Sequence, residues 1–221
     1  MDKIITDDML KTLMEAAADS DTSLLREPEA VYGWEKAEGN YTIDDYYALP
    51  DNVRAELIDG IFYYLSAPTI THQIISGRLY NTLDRYIEDK NGDCVPLIAP
   101  CDVQPDREDD RWMIQPDVMV VCDRNKLEDD RCVRGAPDFV AEVLSPSTKK
   151  RDRTVKRRKY RETGVREYWM IDPETEMIEV YIFKSTETDV LPRVYPFHET
   201  VPVSIFCGDC KVDFAKITRR R

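Results

Sequence analysis

The stretch Phe139-Val-Ala-Glu-Val-Leu constrains this chain more than any other. It is apolar on both faces of an extended strand except at Glu142, so it reads as a central, buried β-strand. A carboxylate inside such a run is costly unless it pairs with a cation or coordinates a metal. Gln115-Pro-Asp-Val-Met-Val-Val puts a second acid, Asp117, at the mouth of another apolar strand. A buried ion pair with a lysine or arginine explains Glu142 taken alone. Two such acids on neighbouring strands each need a cation, and one divalent ion serves both. Hard oxygen ligands with open water positions suit Mg²⁺ or Mn²⁺ better than zinc.

A concentration of positive charge follows directly. Residues 149–161, KKRDRTVKRRKYR, hold nine basic residues and one acid in a chain whose formal net charge is −12. Ser145-Pro-Ser-Thr opens a helix there and Gly164 closes it. Asp152, Lys156, Lys159, Tyr160 and Thr163 share one helical face. Lys156 is the candidate ammonium over the carboxylate pair, with Asp152 one turn earlier either orienting it or forming a plain surface ion pair. Lys149, Lys150, Arg153 and Lys159 are candidates for contact with a phosphate backbone, although a basic run is more commonly a solvated helix face. Ser145 and Ser147 read as helix caps, since no histidine accompanies them as a general base.

The coarse pattern is that of an α/β chain, an α+β mixed sheet with flanking helices and an N-terminal hairpin. Residues 1–39 form a separable extension, a helix over 9–18 and a polar connector. The main domain spans 40–214, and 215–221 is a basic C-terminal tail. Within the domain, Thr42 caps a short helix with Asp45 at the capping-box position. Asp59-Gly60 turns a hairpin over 56–65. Ile74, Ile75, Leu79, Leu83 and Ile87 mark an amphipathic helix stopped by Gly92. Strands follow over 94–99, 102–104 and 115–121, then the strand at 139, the basic helix, and strands beginning at Arg166 and Met177.

Function classes fall away on composition. No apolar run approaches the roughly 20 residues of a membrane span, and the acidic start does not read as a secretory signal, so a cytoplasmic location is expected. The six cysteines show no disulfide framework and are expected to stay reduced. Cys207-Gly-Asp-Cys210 supplies half a zinc site at most, or two free thiols. No glycine-rich phosphate loop is present, so no nucleotide cofactor is expected.

Several strings together resemble a known family. They are Glu56-Leu-Ile-Asp-Gly, His72, Gln-Pro-Asp117-Val, Glu142-Val-Leu-Ser-Pro-Ser-Thr, Asp152-Arg-Thr-Val-Lys156-Arg-Arg-Lys-Tyr160, and Gly164-Val-Arg-Glu-Tyr-Trp-Met-Ile-Asp172-Pro. They resemble the Uma-two family of restriction endonucleases in the PD-(D/E)xK superfamily, over roughly 41–206. The resemblance implies a restriction-endonuclease-like core, with Pro116-Asp117 as the first half of the motif and Glu142 as the acid of the second. It departs from the superfamily at Leu144, where a lysine is expected; Lys156 matches by position as its replacement. Glu56 is either a further metal ligand or a hairpin-end hydrogen-bonding group, and His72 is read as structural. The implied function is Mg²⁺- or Mn²⁺-dependent hydrolysis of DNA phosphodiesters. A non-cleaving nucleic-acid-binding or assembly module of the same fold is the alternative, and hydrolysis of some other phosphoester a third reading. A homodimer is expected, with the aromatic hairpin 56–65 as one conceivable interface.

Overall fold

The computed structural model describes residues 36–183 and 191–219. The helix expected over 9–18 lies outside the described residues. Of the described residues, those up to Ser66 together with Asp110–Met113 make one unit, and Ala67–Asp109 with the chain from Ile114 onward make another.

In the first unit, helix α1 (Ile43–Tyr47) starts at Thr42, whose backbone N–H donates to Asp45 Oδ2 at 2.8 Å, as the capping pattern predicts. Strands β1 (Ala55–Ile58) and β2 (Ile61–Tyr64) form the expected hairpin, with Asp59 and Gly60 both at positive φ. A Cβ on Gly60 would stand 2.3 Å from the Gly39 carbonyl oxygen, so no other residue fits there. Phe62 is buried against Tyr41, ring centroids 4.9 Å apart, which removes it from the interface conceived for this hairpin.

The second unit is built on a six-stranded mixed sheet. Its spatial order is β10 (Arg193–Pro196), β9 (Met177–Ile182), β8 (Glu167–Asp172), β7 (Phe139–Val143), β5 (Val118–Val121), β3 (Val95–Ile98). All neighbours are antiparallel except β7 and β8. A parallel pair needs a crossover, and residues 149–163 supply it. The crossover runs as α3 (Lys149–Arg151), a π-helical turn (Asp152–Lys156) and α4 (Arg157–Thr163), ended by Gly164 at φ 98°. Strands β5, β7 and β8 are buried along their whole length, as their unbroken apolar runs require.

Helix α2 (Ile70–Asp89) lays Ile75, Leu79, Leu83 and Ile87 on one sheet face, against Val118, Val120, Phe139, Ala141, Val143, Trp169 and Ile171. Asn91, at φ 49°, makes the left-handed turn after it, the role expected of Gly92. Four strands escape the expected pattern: β10 and the three-residue β6 (Cys132–Arg134), β11 (Thr200–Pro202) and β12 (Lys211–Asp213). Strand β4 (Asp102–Gln104) pairs in parallel with β6, and β11 pairs with β12.

The hairpin β11–β12 and helix α5 (Phe214–Thr218) add Val201, Val212, Phe214 and Ile217 to the same core. The first residues of the expected basic tail are therefore helical. The Arg78 guanidinium fastens them, donating to the carbonyls of Ile217 and Arg219 at 2.7 Å each and of Lys216 at 3.2 Å.

One expectation about cysteine changes. Cys94 and Cys122 form a disulfide, against the reading of six reduced thiols. They extend the β3–β5 register Val95↔Val121 by one residue, so the strands set them directly opposite each other, Cα atoms 4.0 Å apart. That pairing is a property of register, which cysteine spacing does not reveal. In the Cys207–Cys210 motif, Cys207 is exposed and Cys210 buried, and burial, then the charge of Glu167, pushes the Cys210 thiol up to about 11. No helix among the described residues is long and apolar enough to cross a membrane.

Glu167 is buried beneath the C-terminal hairpin, accepting from Trp169 Nε1 at 2.8 Å and from the Ile205 amide at 2.9 Å. Burial raises its pKa above the ordinary 4.5, with those two donors opposing the shift. A raised carboxyl contributes stability that is complete below the unfolded pKa and lost as pH rises through the folded one. The Tm advantage of wild type over Glu167→Gln is therefore expected to be greater near about pH 4 than near about pH 7. A thermal melt series in which that advantage widens with pH would contradict this.

Candidate metal centre

Asp117 immediately precedes β5, and Glu142 lies in β7. The β5–β7 register pairs Val118 with Ala141 and Met119 with Val140. Continued by one residue it sets Asp117 opposite Glu142, on the sheet face away from α2. The two are linked directly. The Asp117 amide donates to Glu142 Oε2 at 3.3 Å, and Asp117 Oδ2 accepts from the Val143 amide at 2.7 Å. Asp117 keeps 17% of its side-chain surface exposed, whereas Glu142 and Lys156 keep 5% and 4%.

The helical crossover roofs the pair. Lys156 Nζ donates to Glu142 Oε1 at 3.0 Å and lies 3.3 Å from Asp152 Oδ1, and the Tyr160 hydroxyl donates to the same Glu142 Oε1 at 2.8 Å. The chain thus places a lysine on Glu142 from the helix, while Leu144 is buried with the core. Asp152 and Lys156 are both buried, so their contact is not a surface ion pair. Three carboxylates, Asp117, Glu142 and Asp152, against one ammonium leave these four side chains at a net −2 when all are charged.

His72 makes a contact that its sequence position did not disclose. Its amide donates to the Thr69 cap at 3.2 Å, the structural role expected of a helix start. Its ring, however, reaches Asp117, Nε2 to Oδ2 at 3.0 Å. Both Asp117 side-chain contacts fall on Oδ2, which leaves Oδ1 for a ligand. Glu56 lies on β1 in the first unit, 1% exposed and opposite Tyr63.

Three of the four bases expected to track phosphates are engaged by acids of the same chain. Lys149 pairs with Asp172 at 2.8 Å and Glu174 at 3.4 Å. Arg153 pairs with Glu179 and, at 3.6 Å, Asp172; Lys159 pairs with Asp109 at 2.5 Å. Burial pushes Asp172 up, but the Lys149 ammonium overrides it and holds the carboxyl below its ordinary value. Lys150 is exposed. The acids at 172, 174 and 179 explain how a strongly acidic chain carries this basic helix.

Among the described residues, no group of three or more His, Cys, Asp or Glu side chains is arranged to hold a metal ion. Asp117 and Glu142 are a pair of carboxylates, with no larger group of ligands assembled around them among the described residues. That fits Mg²⁺, which commonly takes one or two carboxylates and completes its shell with water and substrate phosphate.

A mixed α/β sheet with helices on both faces and paired acids at adjoining strand ends has the form of a nuclease-like fold. The model of the Uma2 family, described as "Putative restriction endonuclease", matches residues 43–209. The chain belongs to that family. Among solved structures it is similar to "a putative nuclease belonging to DUF820" from Anabaena variabilis ATCC 29413. The TM-score is 0.64 at 18% sequence identity, over 80% of this chain and 99% of that one. No curated protein matches the chain in sequence.

Proposed function

We propose that the chain is a metal-dependent DNA endonuclease that hydrolyses phosphodiester bonds at the Asp117–Glu142 pair. The observation that carries this reading is the juxtaposition of the two acids across β5 and β7 with Lys156 on Glu142. Asp117 and Glu142 would hold Mg²⁺ or Mn²⁺, which would supply a Lewis acid for the phosphate and lower the pKa of a bound water. Asp117 offers Oδ1, and Glu142 offers Oε2. Lys156 pairs with Glu142 and would lend positive charge where the phosphate becomes more negative. Asp152 holds Lys156 from its other side. Lys150, exposed on the helix, would meet the backbone, and Lys149, Arg153 and Lys159 would do so by exchanging their acids for phosphates. A two-fold dimer would present one such centre to each strand of a duplex.

The same ion pair favours a second reading. Glu142 is already satisfied by Lys156, Tyr160 and the Asp117 amide, as in a module that binds nucleic acid without cutting it. Incubating the full chain with supercoiled plasmid separates the two. The endonuclease nicks in Mg²⁺ or Mn²⁺ and stops in EDTA. A chain that binds DNA in a salt-dependent manner but never nicks it supports the module.

A further inference from the structure

Resting on the metal-binding reading above, we propose that Tyr160 is a positioning residue that fixes the rotation of the Glu142 carboxylate, so that one oxygen faces Asp117. The two oxygens are equivalent and the terminal torsion is broad and roughly two-fold, so an anchor on one oxygen sets where the other points. Here two donors converge on Oε1, the Lys156 ammonium at 3.0 Å and the Tyr160 hydroxyl at 2.8 Å, while Oε2 reaches across to the Asp117 amide. The two donors differ in stiffness. Lys156 carries its charge on a flexible stem, whereas the Tyr160 phenol has two side-chain torsions and is fully buried.

Its ring packs on Tyr168, centroids 5.0 Å apart, and the Tyr168 hydroxyl donates to the Asp152 carbonyl at 3.2 Å. That bond ties the π-helical turn to β8. A π-turn inside an α-helix changes the phase of everything after it and is frequent at functional sites. In this chain it spans Asp152–Lys156, and Tyr160 follows Lys156 by one α-turn. The turn and the phenol together hold the roof of the site in one register over Glu142.

The test is Mn²⁺ binding to the full chain, followed by the EPR signal of the bound ion, in wild type, Tyr160→Phe, Tyr168→Phe and Asp117→Asn. Losing an outer partner of a metal ligand typically weakens metal affinity about 10–100-fold, and Tyr160→Phe is expected to fall in that range with a cooperative melt retained. Tyr168→Phe deletes a hydroxyl from the same ring pair that reaches the Asp152 carbonyl and not Glu142, and is expected to weaken binding less than Tyr160→Phe does. Equal affinity in wild type and Tyr160→Phe overturns the inference. So does equal weakening in both tyrosine variants, or a Tyr160→Phe chain that does not fold. No binding by wild type, or none lost in Asp117→Asn, overturns the metal-site reading itself.

Discussion

Replacing Lys156 with methionine is expected to cost about 3–5 kcal/mol of stability, the range for breaking a buried ion pair from one side. Lys156 is buried between Glu142 and Asp152, themselves buried. Methionine fills much of the volume but leaves two carboxylates facing each other without that cation. The loss should appear as a lower urea midpoint at an unchanged slope, and it should persist at high salt because buried pairs are screened little. Glu142→Gln made together with Lys156→Met should cost less than the two singles added, by a coupling of about 0.5–3 kcal/mol. A single-variant loss below about 1 kcal/mol would mean that other cations neutralise these acids, and that Lys156 is a surface lysine in effect.

The parts of this centre that were legible beforehand share one cause. Burial on both faces writes an unbroken apolar run, so strands β5, β7 and β8 and the acids that interrupt or precede them stand out in the sequence. Helical period put Asp152, Lys156 and Tyr160 on one face, and all three turn toward the same strand pair. What stayed hidden depends on which residues meet across long chain separations. His72 lies far from Asp117 in the chain, and a histidine at a helix start looks like a cap; the cap is present, and the ring contact is additional. Tyr160 looked like one more residue on that helical face, though a buried phenol always calls for a partner.

The basic run misled in the other direction. Its charges are real, but Asp109, Asp172, Glu174 and Glu179 come from three other segments to meet them. No local pattern announces that, because nearly one residue in five of this chain is acidic, 43 of 221. The Cys94–Cys122 bond and the pairing of β4 with β6 escaped for the same reason.

Asp117→Asn is expected to slow plasmid nicking by about a hundredfold to a thousandfold, the scale for removing a group that stabilises charge in the transition state. The fold should barely register the change, shifting by no more than about 1 kcal/mol. Both halves of that expectation follow from where Asp117 sits. It is partly exposed at the strand mouth, and one of its two oxygens already serves the backbone by accepting the Val143 amide. An asparagine keeps an oxygen for that bond, with its amide nitrogen on the outer side. It loses the negative charge and, with it, the affinity for a divalent ion. Glu142 is a poorer probe, because its removal also strands Lys156 and Tyr160 in the interior. Asp117 therefore separates chemistry from stability where Glu142 confounds them. Nicking of equal rate in wild type and Asp117→Asn, with both chains folded, would place the chemistry elsewhere. Lost nicking with an unfolded chain would make Asp117 a structural acid, held by Val143 and His72 for the sake of the strand end.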